Sequence, residues 1–328
     1  MEYKSIKGFN GFGQFGMLLV FLGLGFVLAA AVQLVIFMQV LPAGSSITDS
    51  KALMDALKDS KNVGASRAAQ VLGTLCLMFI PAVLWSLVIN GKNKFWLGFN
   101  KHINWQQVAI GFAIIFLANI LAGPLADLSK SIIAQFPTLD ARALKMENEY
   151  NEQVMAMSNL KNWGEFVLAI FIMAFFPAMF EEMFFRGTMQ NLFVKWWKMP
   201  LLAIVFTSVF FSLIHLSIYL FISRAILGFV LGMMFYKSKN IWVNIIAHFL
   251  NNALAVAGLF YELRTKGKVN VDAVDPKVPW WGGLLALAAI IFLFRLFDKY
   301  SAENKTRIEM KEKALIAEAD PFAGFAEK

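Results

Sequence analysis

Eight apolar runs decide what this chain can become: they cover approximately residues 16–41, 66–90, 105–126, 163–185, 200–221, 223–236, 241–261 and 279–297. Most reach the roughly 18 residues needed to cross about 30 Å of hydrocarbon. In lipid a backbone must satisfy its own polar groups, which leaves helices or closed barrels, and runs without period-two alternation select helices. The expected fold is all-α, a polytopic membrane helical bundle of about eight transmembrane helices. The sixth run is short, and it is expected to pair tightly with the fifth around Ser223 and Arg224.

The charges agree. Only 16% of the 328 residues are charged and the net charge is +8, but the basic residues lie mostly in loops and tails between the apolar runs. Anchoring and orientation account for them better than nucleic-acid binding, which is not expected. Lys92, Lys94, Lys101, Lys195, Lys198, Lys237 and Lys239 occupy short loops that all fall on one side if the N-terminus is cytoplasmic. Both termini are therefore expected in the cytoplasm, the tail adding Lys299, Lys305, Arg307, Lys311 and Lys313. The first run is longer than a signal-peptide core and is read as a retained helix. The single Cys76 sits within a span, so neither a disulfide framework nor a cysteine metal site is available within one chain.

Outside the spans, residues 50–58 suggest a surface helix, 127–162 an interfacial helix over the outer face, and the tail from Asp298 a helical extension that frays. The chain divides into residues 1–160 with the first three spans, a core of four spans over 161–262, and the last span with its tail over 263–328. Gly228 and Gly232 form a small-xxx-small pair suited to close helix packing. No internal repeat of the kind that builds transporters is evident.

Ionisable side chains deep in a membrane cost about 2.5–3.5 kcal/mol each on insertion scales, so each one needs a partner, water or a task. Here they concentrate in one stretch. Glu181, Glu182 and Arg186 lie near the end of the fourth span, with Pro177 one turn earlier expected to kink the helix. Glu182 and Arg186, four residues apart, share a face and form an expected ion pair. Glu181 is rotated away and left for chemistry. His215 lies in the fifth span, and Asn244, His248 and Asn252 form a polar stripe on the seventh. Asn251, off the stripe, is expected to bond a neighbouring helix. Of the three histidines, only His102 lies in a loop.

Such a set can run a hydrolysis. A buried carboxylate such as Glu181 is a competent general base for water, His215 can orient that water, and His248 with Asn252 can donate to a developing oxyanion. Ser212 and Ser217 are the only nucleophilic hydroxyls nearby, and neither has an evident Lys or Asp partner. Zinc is an open alternative, since Glu181, His215 and His248 could supply a three-ligand catalytic site. Non-catalytic roles also stand, as a membrane scaffold or a solute transporter whose polar residues form a binding site.

Three motifs in order, Glu181-Glu182-x-x-x-Arg186, Phe211-x-x-x-His215 and His248-x-x-x-Asn252, resemble those of the CAAX-protease and bacteriocin-processing (Abi) family, which includes the type II CAAX prenyl endopeptidases. The likeness extends to Phe185-Arg186-Gly187 and His248-Phe249-Leu250-Asn251-Asn252 and covers residues 160–260 or thereabouts. It implies an eight-helix intramembrane protease acting on a membrane-anchored protein or peptide, with Glu181 and His215 on the water and His248 and Asn252 on the oxyanion. It favours a metal-free glutamate mechanism, with no cofactor, over a metalloprotease. It also allows a bacteriocin-immunity role without catalysis, and it places the protein in the cytoplasmic membrane of a bacterium. One expectation sits awkwardly beside it. Counted from the expected cytoplasmic ends, His248 lies about seven residues deep and His215 about sixteen, a difference of roughly 13 Å at 1.5 Å per residue.

Overall fold

In a computed structural model, described for residues 3–46, 48–158, 160–267 and 277–319, the chain is an all-helical bundle. Seven helices are long and apolar enough to cross a membrane: α1 (Gly11–Val40), α3 (Val63–Asn90), α4 (Trp105–Ile133), α6 (Trp163–Trp197), α8 (Phe221–Ser238), α9 (Ile241–Lys266) and α10 (Trp280–Ala319). An eighth, α7 (Pro200–Leu213), is apolar but shorter. Helices are present where two were expected outside the spans, α2 (Ser50–Lys58) and α5 (Pro137–Met157), and residues 127–133 of the second expected segment belong instead to α4. The expected fifth span is corrected: it stops at Leu213 instead of 221, and a turn joins it to α8. The pairing of α7 with α8 is as expected.

Asparagine starts four of the spanning helices. Asn10, Asn104, Asn162 and Asn240 each accept a bond from a first-turn N–H that the helix itself leaves unpaired. Left-handed residues stop three spanning helices: Lys198 at φ 55° after α6, Lys239 at φ 54° after α8 and Gly267 at φ 70° after α9. The turns α6–α7 and α8–α9 are therefore tight, and each pair runs antiparallel.

The bundle has two packed halves. Phe180, Phe184 and Phe185 of α6 pack with Leu18 of α1 and Trp85 and Ile89 of α3, while Ile114 and Ile115 of α4 pack with Met234, Val243 and Phe297 of α8, α9 and α10. The glycine pair serves this packing inside the chain. A Cβ on Gly232 would stand 2.7 Å from Ile204 Cγ2, and one on Gly228 3.2 Å from the Ser208 backbone, so α7 and α8 touch nearly backbone to backbone.

Pro177 does not break α6. A π-helical segment, Ile170–Phe175, precedes it, and a second, Met183–Gln190, follows the two glutamates. The widened turns absorb the proline's missing donor, so the expected kink takes the form of a bulged, continuous helix. On the opposite side of α6, Arg67 of α3 bonds Glu165 at 2.5 Å and the Met157 carbonyl at 3.0 Å, fastening the end of α5 against the bundle. The tail does not fray over its described length. It continues α10 to Ala319, buries Ile308 against Phe95 and Trp96, and pairs Glu312 with Lys195 at 2.5 Å. Ile6 packs there as well, so the two described ends of the chain share one face.

Candidate active site

Glu182 is the hub of the buried polar cluster. It is fully buried on α6, and its carboxylate faces three partners. Arg186 Nη1 donates to Oε1 at 2.9 Å, His248 Nδ1 meets the same oxygen at 3.0 Å, and Asn244 Nδ2 donates to Oε2 at 3.1 Å. Arg186, also without exposed surface, donates from Nη2 to the Gly228 carbonyl at 3.0 Å and lies 4.9 Å above the Phe211 ring. The ion pair expected between Glu182 and Arg186 is present. The polar stripe on α9 faces inward, with Asn244 and His248 both on Glu182.

The bond between Glu182 and His248 is not legible in the sequence, which suggests only the arginine as partner. A carboxylate only accepts, so His248 Nδ1 carries the proton and Nε2 is turned away from Glu182. What Nε2 turns toward is Glu181, whose Oε2 lies 3.9 Å away. The two adjacent glutamates therefore address opposite nitrogens of one imidazole. Glu181 itself is 8% exposed, so some of its surface opens into the site while the rest is enclosed.

His215 comes from the turn after α7. Its N–H bonds the Ser212 carbonyl, and its Nδ1 lies 2.7 Å from the Phe211 carbonyl. A carbonyl accepts, so this nitrogen donates as well and leaves Nε2 as the free nitrogen. Glu181, His248 and Arg224 all act electrostatically on the ring. The expected 13 Å offset between His215 and His248 is corrected. Glu181 and His215 stand equally many residues from Lys198, the turn of the α6–α7 hairpin, and Glu181 acts electrostatically on the His215 ring. The α9 helix starts in different surroundings from that turn. Asn240 and Ile241 at its start are buried, whereas Met199 and Leu201 at the hairpin are more than half exposed. Asn240 is held there by the carbonyls of Asn100 and His102, to which its Nδ2 donates at 3.2 and 2.8 Å. His248 nonetheless comes near enough to His215 to act electrostatically on its ring.

Asn252 follows His248 by one turn of α9 and is half-buried, and its side chain makes no hydrogen bond among the described residues. Asn251 bonds Asn119 of α4, as expected of interhelical glue. The two serines are committed elsewhere: Ser212 Oγ donates to the Phe221 carbonyl at 2.6 Å and Ser217 Oγ to Glu147 at 3.2 Å. Neither hydroxyl bonds a histidine. Beside the His215 turn lies a largely apolar cavity of about 410 Å³, lined by Ser129 and Ile133 of α4, Met146 of α5, and Leu213, Leu216 and Phe221. Among the described residues no three His, Cys, Asp or Glu side chains converge as a metal would require, so Glu181, His215 and His248 do not form a ready ligand set.

Residues 163–254 match the family described as Rce1-like, type II CAAX prenyl endopeptidase. The matched segment runs from the start of α6 to just past Asn252, and it holds all three motifs. The family resemblance read from those motifs is thereby borne out over the residues that carry it, and the family is one of peptidases. No curated protein and no solved structure matches the chain significantly.

Proposed function

We propose that this integral membrane protein is an intramembrane endopeptidase that hydrolyses a peptide bond in a membrane-associated protein or peptide. The observation that carries the reading is the division of labour between the paired glutamates. Glu182 is saturated by Arg186, Asn244 and His248, which leaves Glu181 as the carboxylate with capacity to take a proton from water. His215, its Nδ1 engaged by Phe211, offers Nε2 to the same water. His248 Nε2, when the ring carries both protons, and the Asn252 amide donate to the oxyanion as the carbonyl carbon becomes tetrahedral. The proton collected by Glu181 then goes to the departing amine. Residues 161–262 act as the catalytic core in this reading, with the remaining helices as its frame.

The reaction so drawn uses no metal and no covalent enzyme intermediate. Burial of the cluster supports it, because charge developing on the substrate is stabilised by fixed donors in a site of low dielectric. The basic short loops support a cytoplasmic location for both termini.

The decisive experiment compares the membrane proteome of cells carrying wild-type protein with that of cells carrying Glu181→Ala or His248→Ala. New termini that depend on both residues are expected. Unchanged cleavage in both variants would reject the proposal, and a preserved cellular phenotype in Glu181→Gln would favour a non-enzymatic scaffold. Chelator treatment is expected to leave cleavage intact; one equivalent of zinc in purified protein, lost in His215→Ala, would overturn the metal-free mechanism.

A further inference from the structure

His215 is the one residue of the proposed site not carried on a helix, and something must hold it. The α7 helix ends at Leu213, and Leu216 follows in the left-handed region at φ 49°, where a branched side chain is strained. The N–H groups of Ile214, His215 and Leu216 take the carbonyls of Phe210, Ser212 and Leu213, which leaves the His215 carbonyl to a donor from elsewhere. Arg224, on the first turn of α8, supplies one: its Nη1 donates to the His215 carbonyl at 3.1 Å. The same guanidinium lies 4.9 Å from the centre of the Tyr150 ring on α5. A cation placed at a helix C-terminus is also favoured by the helix dipole.

Two further bonds join this turn to the same helix. Tyr219 donates to Asp140 Oδ1 at 2.5 Å, and Ser217 to Glu147 Oε2 at 3.2 Å. Asp140, Glu147 and Tyr150 recur at helical spacing along α5, so one face of that helix grips the turn at three places. We infer that Arg224 is a positioning residue for His215, and that α5, through Tyr150, Glu147 and Asp140, is the brace against which it works. The inference rests on the reading of His215 as the group that orients water. Arg224 touches the backbone of the turn and leaves the ring to Phe211. Losing it would let the turn relax from the strained Leu216 conformation and carry the imidazole away from Glu181.

With three histidines in the chain, each assignable by one substitution, selective 15N-histidine labelling of the full-length protein in nanodiscs reads this directly. In Arg224→Gln the His215 ring resonances are expected to lose the pattern of a protonated Nδ1, while those of His102 and His248 stay where they are. Arg224→Lys, which keeps a cationic donor where Gln offers only a neutral one, is expected to restore part of the wild-type signal. Tyr150→Ala is expected to move the His215 signals in the same direction, and Tyr150→Phe, which keeps the ring, to leave them in place. A wild-type His215 spectrum in Arg224→Gln would overturn the inference. So would equal movement of all three histidines, which would mark Arg224 as merely structural. On any substrate the wild-type protein cleaves, Arg224→Gln is expected to lower kcat about 10- to 100-fold with KM nearly unchanged. Absence of any cleavage by the wild-type protein would count against the proposed function alone, since the spectra judge Arg224 without it.

Discussion

Glu182 and His248 meet at 3.0 Å although sixty-six residues separate them, and the oxygen that meets the imidazole is the one that accepts from Arg186. One buried carboxylate thus neutralises a cation and fixes the tautomer of a ring in the proposed site. Three groups depend on it, and that dependence makes it open to test.

Replacing Glu182 by Ala leaves Arg186 charged and without its counter-ion in a site with no exposed surface. Removing one partner of a buried pair costs about 3–5 kcal/mol, so Glu182→Ala is expected to unfold or to lose much of its thermal stability in detergent. The double variant Glu182→Leu/Arg186→Leu is expected to be more stable than Glu182→Ala while remaining inactive. Thermal melts of the three proteins, side by side, provide the comparison.

Glu181 sets the opposite expectation. Its one close partner is His248 Nε2, at a distance too long for a hydrogen bond, so Glu181→Gln should keep the wild-type melting behaviour. Cleavage is expected to fall by about 100- to 10,000-fold, the range for losing a general base. Residual activity near wild type, measured on a substrate identified from the proteome, would remove Glu181 from the mechanism.

The two residues of α9 should separate by their partners. The Asn252 side chain bonds nothing among the described residues, so Asn252→Ala is expected to leave stability alone and lower kcat about 100- to 1,000-fold through the lost oxyanion donor. His248→Ala removes a donor to Glu182 as well, and it should cost both stability and rate. Parallel melts and single-turnover kinetics distinguish the cases.

Gly187 in the matched motif has a steric explanation. A Cβ there would stand 2.7 Å from the Leu97 carbonyl oxygen, a backbone atom with little room to move, and 3.2 Å from Ile241. Gly187→Ala is expected to destabilise by about 1–3 kcal/mol, as overpacking does. Gly16, whose Cβ position is open, is the control: its Ala variant should melt like the wild type or slightly higher.

The spanning helices were legible because hydrocarbon demands long apolar runs, and the ion pair because four residues make one helical turn. The bond from Glu182 to His248 was not, since it depends on how α9 sits against α6. The break in the fifth span was hidden for another reason. Leu216, Ile218 and Leu220 continue the apolar pattern, and no Gly or Pro marks the turn. The turn is bonded by Arg224 and by α5, contacts that no local pattern announces. Arg224 itself carried a readable signal, an arginine within an apolar span, but nothing in the sequence tied it to His215. The depth discrepancy had a similar origin, since sequence cannot show that α9 begins from a buried turn held by Asn100 and His102.

The tight turn at Lys198 makes the α6–α7 hairpin a ruler. Glu181 and His215 stand the same number of residues from it, so one residue added to or removed from the α-helical part of either arm would shift one group against the other by about 1.5 Å along and 100° around the helix axis. The chain could keep its spans, its loops and its buried ion pair and still lose the alignment of the two groups. The number of residues between Glu181 and His215 is in this sense as much a component of the site as the side chains, and a length-altered relative that retained both residues would be expected to retain the fold without the reaction.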